Sequence, residues 1–352
     1  MFEFKKNKHL VGLDIGSRAI KAGELVDSKK GYVLKNFAMA DIASGIIEDG
    51  VIQKHEDLAD TIRNLFESYR FKNRNVAFSI GGYSVIVKKI SVQSAPEDQL
   101  PGLISMEAKQ YIPFDIQDVS IDFQVLGKSD TSQNQLNVLL VAAKNEVVND
   151  YAQVVEMAGL TPCILDIDAF ALQNAFEANY APAEENIALI DVGASKTSLN
   201  IVRGSSSLFM RDVSQGCGQI NQKIAGQVDC TLEEAEEIKL SGSSQKLPPE
   251  ELDKIISSVV VNWCLEIRRA LDFFYSSFPN DPVRKIILSG GGGHIQPFRE
   301  TLALETSALV ETINPFRNVI MEKNQFDPAY LEMISPQAAI CMGLSMRRLD
   351  DK

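Results

Sequence analysis

One turn, carried twice, constrains this chain more than any other feature. Residues 11–17, Val-Gly-Leu-Asp-Ile-Gly-Ser, run apolar into Asp14 and a Gly16-Ser17 turn, and residues 19–25 return as a second strand. Residues 187–199 repeat the design: an apolar run, Asp191, Gly193, then Ala194, Ser195, Lys196 and Thr197. Each reads as a β-hairpin whose turn lays backbone N–H groups against an anion, with Lys21 returning toward the first. A single such turn says little. Two of them in separate halves predict two related lobes gripping one polyphosphate. Asp14 and Asp191 would face each other there, and Mg²⁺, which keeps several waters, needs only one or two carboxylates beside the phosphates. Ser17, Ala194, Ser195 and Thr197 would supply N–H and hydroxyl bonds to phosphate oxygens. The competing reading is that the aspartates merely cap their turns and Lys21 is an outward strand lysine.

The rest of the composition narrows the class. A chain of 352 residues has room for two full cores, and its formal charge of −12 argues against nucleic acid or an anionic bilayer as main partner. No apolar run approaches the roughly 18 residues of a membrane span. The first eight residues lack an apolar segment, which predicts no signal peptide, and Lys5, Lys6 and Lys8 read as a solvated basic end. Five scattered cysteines without a C-x-x-C pair predict reduced thiols in a cytosol. His9, His55 and His294 form no metal or triad set.

Periodicity orders the elements. Residues 31–40 continue the first sheet, 42–52 read as loop, Leu58, Ile62, Leu65, Phe66 and Tyr69 stripe a helix, and 75–80 are a buried strand. Residues 84–160 read as a separate α+β module: a strand, a helix, a hairpin over 119–143 and a second helix. Ser94 and Glu97 match a capping box, in conflict with Pro101, so that helix either starts late or kinks. Residues 162–167 are a strand, and Asp168 is expected to N-cap a helix to Ala178. Beyond the second hairpin come helices over 219–225 and 232–240, a long helix from Pro249 to Phe278, and a buried strand running into Gly290-Gly291-Gly292-Gly293. Four consecutive glycines are costly to order. Close approach of backbone to a flat ligand gives one reason, a plain tight turn another. Gly216-Cys217-Gly218 follows the same logic.

This ordered set resembles the actin-like ATPase superfamily over almost the whole chain, with a closing helix near residues 335–346. The resemblance implies an α/β, actin-like fold: two lobes with duplicated sheet and helix cores and, as in the division protein FtsA, a small α+β module inserted in the first lobe. The first lobe would comprise 1–83, 161–185 and 335–352, the module 84–160, and the second lobe 186–217 and 284–334 with a helical subdomain over 218–283. It implies ATP and Mg as cofactors. Lys21 stands where actins place a phosphate-binding lysine, Gly291, Gly292 and Gly293 where relatives meet adenosine, and Gly216 beside them. Glu236 and Lys239 match an E-x-x-K pair aimed at ribose and base; a surface ion pair is the alternative.

Three phrases narrow the resemblance to the PilM family of type IV pilus assembly: residues 11–17, Glu107-Ala108-Lys109-Gln110-Tyr111-Ile112-Pro113-Phe114, and Leu165-Asp166-Ile167-Asp168-Ala169-Phe170-Ala171-Leu172. FtsA also ends in a membrane-binding amphipathic helix, for which the residues up to Lys352 leave no room. Membership implies a cytoplasmic, ATP-binding scaffold, peripheral at the inner membrane, with slow ATPase activity at most. Its partner would be the N-terminal cytoplasmic tail of PilN, held in a groove between first lobe and module. Other platform proteins and self-association are further partners. Ile104, Tyr111, Ile112 and Phe114 are either that groove's wall or the module's own core. An FtsA-like division protein, or a phosphotransferase using Asp166 or Asp168 as base, remains the alternative.

Overall fold

The computed structural model describes residues 9–129, 132, 134–182, 184–322 and 325–351, so Lys5, Lys6 and Lys8 lie outside the described residues. Two compact units divide the chain, Met1–Ser79 with Val154–Lys352, and Ile80–Gln153. In the larger unit, β1 (Val11–Ile15), β2 (Ala19–Ser28) and β3 (Gly31–Asp41) form an antiparallel meander. The two-residue strands β4 (Ile47–Glu48) and β5 (Val51–Ile52) pair where the sequence suggested only loop. Helix α1 (His55–Ser68) buries Leu58, Ile62, Leu65 and Phe66 as its spacing predicts, and leads to β6 (Asn75–Ile80), parallel to β1.

The smaller unit holds β7 (Val85–Gln93), α2 (Leu100–Ala108), β8 (Val119–Lys128) and β9 (Gln135–Lys144), in a sheet ordered β7-β9-β8. Its core gathers Ile90, Val92, Leu100, Ile104, Ala108, Ile112 and Leu140. The expected capping box does not form. The helix begins at Leu100, with Gln99 as N-cap and Pro101 in the first turn, where proline's missing N–H has no helical partner to lose. Helix α3 (Asn145–Met157) crosses the boundary between the units, its Val154 and Val155 already buried as part of the larger one.

Back in the larger unit, β10 (Thr161–Ile167) completes the first sheet in the order β10-β6-β1-β2-β3, and α4 (Asp168–Asn179) follows. A second sheet then repeats the plan. Strands β11 (Asn186–Val192), β12 (Thr197–Arg203) and β13 (Ser206–Val213) form the meander. Helices α5 (Gly218–Val228), α6 (Leu232–Ser241) and α7 (Pro249–Ser277) precede β14 (Val283–Ser289), which runs parallel to β11. Helix α8 (Gln296–Thr306) and the parallel edge strand β15 (Leu309–Thr312), for which the sequence offered no expectation, close the order β13-β12-β11-β14-β15. Trp263 of α7 anchors this lobe's core, edge-on to Phe298 and donating to Gln219 Oε1 at 2.9 Å.

A third core joins the sheets. Ala171, Leu172, Ala175 and Phe176 of α4 meet Ala339, Ile340 and Leu344 of α9 (Pro328–Leu344), with Leu10 and Ala77 on one side and Ile187, Leu189 and Ile287 on the other. Helix α9 starts well before the expected residue 335 and carries Pro336 inside it. The Pro336 carbonyl accepts the Gly290 N–H at 2.8 Å, so the irregular turn of α9 holds the end of β14. The fold is therefore the expected α/β arrangement of two lobes with duplicated sheets.

The α4–α9 crossing has no room for a side chain at Gly343, where a Cβ would stand 1.8 Å from the Ala171 carbonyl oxygen. Gly343→Ala is expected to destabilise the protein by about 3 kcal/mol. Gly226→Ala, in an exposed helical position with nothing nearby, should instead stabilise it by about 0.5–1 kcal/mol. Urea unfolding of both variants checks the pair.

Candidate functional site

Asp14 and Asp191 occupy equivalent places, each one residue before the end of a central strand whose residues are almost all buried. The turns close alike: Gly16 N donates to Ala19 O and Gly193 N to Lys196 O. Their tips meet. Ser17 Oγ lies 3.2 Å from Ser195 Oγ, a contact spanning the two halves of the chain. Sequence reasoning placed these turns together, and in the larger unit they are together.

Between them lies a set of charges, Asp14 buried and the others half-buried. Lys21, opposite Asp14 in the β1–β2 register, holds its carboxylate at 3.0 Å. Lys196, which the sequence reading left unassigned, holds Asp168 at 2.7 Å, and Ser79 Oγ donates to the same carboxylate at 2.6 Å. Asp168 is thus not the expected cap. Ile167 takes the N-cap position without a side-chain bond, and the Asp168 carboxylate is committed to a lysine from the second turn. Asp166 points elsewhere, to Arg347 Nε at 3.4 Å.

The protonation balance follows from burial. Burial pushes Asp168 up, but Lys196 and its hydrogen bonds outweigh this and hold it below the usual carboxylate range. Burial also works against the charge on Lys21, yet Asp14 beside it keeps its pKa raised. Asp191 has no lysine of its own, since Ser198 stands where Lys21 stands in the first hairpin. Burial pushes it up to about 6, the Ser289 hydroxyl partly offsets this, and the like charges of Asp14 and Asp168 add to the rise. Among the described residues the cluster thus sets three carboxylates against two ammonium groups. A divalent cation with phosphates fits such a donor set: Asp14 and Asp191 would face the metal through its waters, and the lysines would face phosphate.

The glycines divide by role. Gly290 has φ 78° and touches β11, since a Cβ there would stand 2.4 Å from the Val192 carbonyl oxygen. Gly292 packs equally tightly on the Val192 side chain, and Gly292 and Gly293 are both buried. Only Gly291 has open surroundings, its nearest neighbour being Gln337. Gly216 packs on the Gly193 and Ala194 carbonyls, which accept the N–H groups of Cys217 and Gly218, so this segment braces the second turn. Thr197 Oγ1 is spent in the same brace, donating to the Gln215 carbonyl at 2.7 Å. Glu236 and Lys239 do form the ion pair of the plainer reading, at 2.7 Å. Burial works against the Glu236 charge, but hydrogen bonds from Lys239 and Asn221 keep its pKa low, and Arg18 of the first turn acts on it as well. The pair also acts on the buried Cys217 thiol, itself pushed up to about 12 by burial, as does Asp191. It therefore lies in the electrostatic neighbourhood of both turns.

In the smaller unit, Ile104 and Ile112 are buried in the core, Phe114 packs against it under Lys144, and Tyr111 is 38% exposed. Of the four groove candidates, only Tyr111 and Phe114 keep surface to offer. No helix of the described residues is long and apolar enough to cross a membrane.

Asp191 supplies a pH signature. Its carboxyl protonates near pH 6 when folded and near 3.8 otherwise. Between those values the folded chain keeps a proton that the unfolded chain has lost, so stability falls as pH rises through the window and stays reduced above it. Asp191→Asn should remove this slope and stabilise the ligand-free protein at pH 8 by up to about 3 kcal/mol, read by chemical denaturation at pH 5 and pH 8.

The structure matches a solved PilM–PilN type IV pilus biogenesis complex with a TM-score of 0.88 and 28% identity over 98% of this chain and 100% of that one. The ethanolamine utilization protein EutJ from Carboxydothermus hydrogenoformans matches at 0.59 and 14% identity over 97% and 90% of the two chains. MreB 5 of Spiroplasma citri bound to AMPPNP matches at 0.50 and 12%, over 87% and 92%. The last two show the shared actin-like fold alone. The family model described as type IV pilus assembly protein PilM matches residues 12–349, and the chain belongs to that family.

Proposed function

We propose that this chain is the nucleotide-binding, actin-like scaffold of a type IV pilus assembly platform. Mg-ATP sits between the Asp14 and Asp191 turns, and the protein captures the N-terminal cytoplasmic tail of PilN, so that it works at the inner face of the cytoplasmic membrane through that partner. The observation that carries the nucleotide reading is the meeting of the two turns at Ser17 and Ser195 over a partly buried, cation-deficient cluster. Paired lysines and a lone half-buried carboxylate are what a magnesium polyphosphate would complete. The solved MreB 5 relative carries AMPPNP, which supports the same use of the fold. The partner reading rests on the PilM–PilN complex. Tyr111 and Phe114 are its candidate contacts, since an exposed tyrosine over an apolar core suits an extended apolar tail. Hydrolysis is slow or incidental in this reading, and nucleotide occupancy sets the state of the scaffold.

Two measurements test it. Asp14→Asn keeps an acceptor for Lys21 but loses the carboxylate, and should weaken Mg-ATP binding by at least about tenfold in calorimetry with the fold intact. Unchanged affinity would mean that the turns hold no metal nucleotide. Tyr111→Ala should weaken binding of a PilN N-terminal peptide while leaving ATP affinity as it was; equal losses in both would point to damage of the smaller unit's core.

A further inference from the structure

The chain passes between the two sheets twice near the C-terminal end of α4, and a cavity of about 430 Å³ lies at that place. The outward passage leaves Tyr180 and enters β11 at Asn186. The return leaves β15 and runs through Asn314 to Ile320 toward α9. It is fastened to α4 and to the first sheet. Asn318 N donates to Asn179 Oδ1 at 2.8 Å, Asn318 Nδ2 to the Ala178 carbonyl at 3.1 Å, and Asn314 N to the Tyr180 hydroxyl at 2.9 Å. Ile320 bonds through its backbone to Tyr32 and Leu34 of β3. Phe176, Tyr180 and Arg317 therefore form a wall tied to the first sheet. Glu185, Ile187 and Lys285 form a wall that belongs to the second, Ile187 and Lys285 being neighbours in the β11–β14 register.

The charges here are unevenly spent. Lys285 is held by Glu311 at 2.8 Å. Arg317 lies 5.3 Å over the Tyr180 ring, itself stacked on Phe176, and among the described residues its guanidinium takes no hydrogen bond or ion pair. Nor does the Glu185 carboxylate on the other wall. Both are exposed at the rim, above the buried Phe176 and Ile187. A lone surface charge calls for no partner. Two of opposite sign, on the two walls of one concavity with an apolar floor between them, describe a ligand: the guanidinium fork suits a carboxylate, and the carboxylate suits an ammonium.

We propose that the cavity is an effector site for a small zwitterion of dipeptide size, an apolar body with its carboxylate on Arg317 and its ammonium on Glu185. The volume lies in the range of small-molecule sites. Each charge is satisfied from a different sheet, so such a ligand draws the two walls together. The wall elements also reach the charge cluster. Helix α4 runs 12 residues, roughly 18 Å, from Asp168 to Asn179, and β11 runs from Asn186 past Asp191. Occupancy at the crossing is thus transmitted to the two turns, and Mg-ATP and the zwitterion alter each other's affinity by the same factor. That coupling rests on the nucleotide reading above; the site itself does not.

The test is ligand-observed NMR titration of the intact protein with leucyl-phenylalanine, its N-acetyl form, its amide, and the peptide blocked at both ends. The free dipeptide should bind, and each singly blocked form about tenfold more weakly, as loss of one charge-assisted bond implies. Glu185→Gln should weaken the free dipeptide but not the N-acetyl form. Arg317→Gln should weaken the free dipeptide but not the amide. No binding of the dipeptide at millimolar concentration overturns the proposal. So does equal binding of the doubly blocked peptide, or variants that keep both preferences of the wild type. Calorimetry then compares Mg-ATP affinity with and without saturating dipeptide, and an unchanged affinity overturns the effector role. Absence of any Mg-ATP binding would instead overturn the nucleotide reading and the coupling, while the NMR titration still decides the site.

Discussion

A half-buried aspartate without a cation of its own is the constraint around which this molecule is arranged. Taking an ion out of water costs several kcal/mol even after relaxation, and a partner must return most of it. Asp14 and Asp168 have such partners in Lys21 and Lys196. Asp191 does not, because the hairpin that carries it has Ser198 where the first has Lys21. The consequence is a folded state that carries an electrostatic penalty at neutral pH, lodged where both turns converge. Such a site is poised to take up positive charge, and its geometry is bound into strands too deeply packed to relax around the penalty.

That rigidity comes from the way the duplicated lobes share material. Helices α4 and α9 belong to neither sheet alone; their small residues interlock, and residues from both sheets close over them. Gly343 presses on the Ala171 carbonyl, Ser345 Oγ donates to the Gly23 carbonyl at 2.9 Å, and the Cys341 thiol points to the Gly12 carbonyl. Gly12 and Gly23 face each other within the hairpin of Asp14, so the closing helix grips the first turn from behind. The second turn is gripped by Gly216 to Gly218 and by Gly290 against Val192. Glycines that looked like ligand contacts in the sequence thus serve mostly to bring backbone against backbone.

The site was legible in part. Asp14, Gly16, Ser17 and Asp191, Gly193, Ser195 could be found because the hairpin is a local motif, written twice, and residues at fixed spacing land at equivalent places. Lys196 escaped because nothing local distinguishes a turn lysine aimed inward from one in solvent; only its alignment between Ser195 and Thr197 in the echoed turn hinted at it. Asp168 was assigned the common role of a helix cap, a choice decided by a lysine far along the chain.

What the sequence determined by itself was periodic or repeated: the two hairpins, the stripes of α1 and α7, the buried strands, and the presence of an α+β module between them. Those follow from the 2.0 and 3.6 residue repeats of backbone geometry, which act over a few residues. Only the tertiary structure decided which lysine neutralises which aspartate, which of Ile104, Tyr111, Ile112 and Phe114 face inward, and which glycines touch backbone. These depend on contacts between residues far apart in the chain, and the energy of burying a charge or a ring is set by neighbours that local pattern does not name.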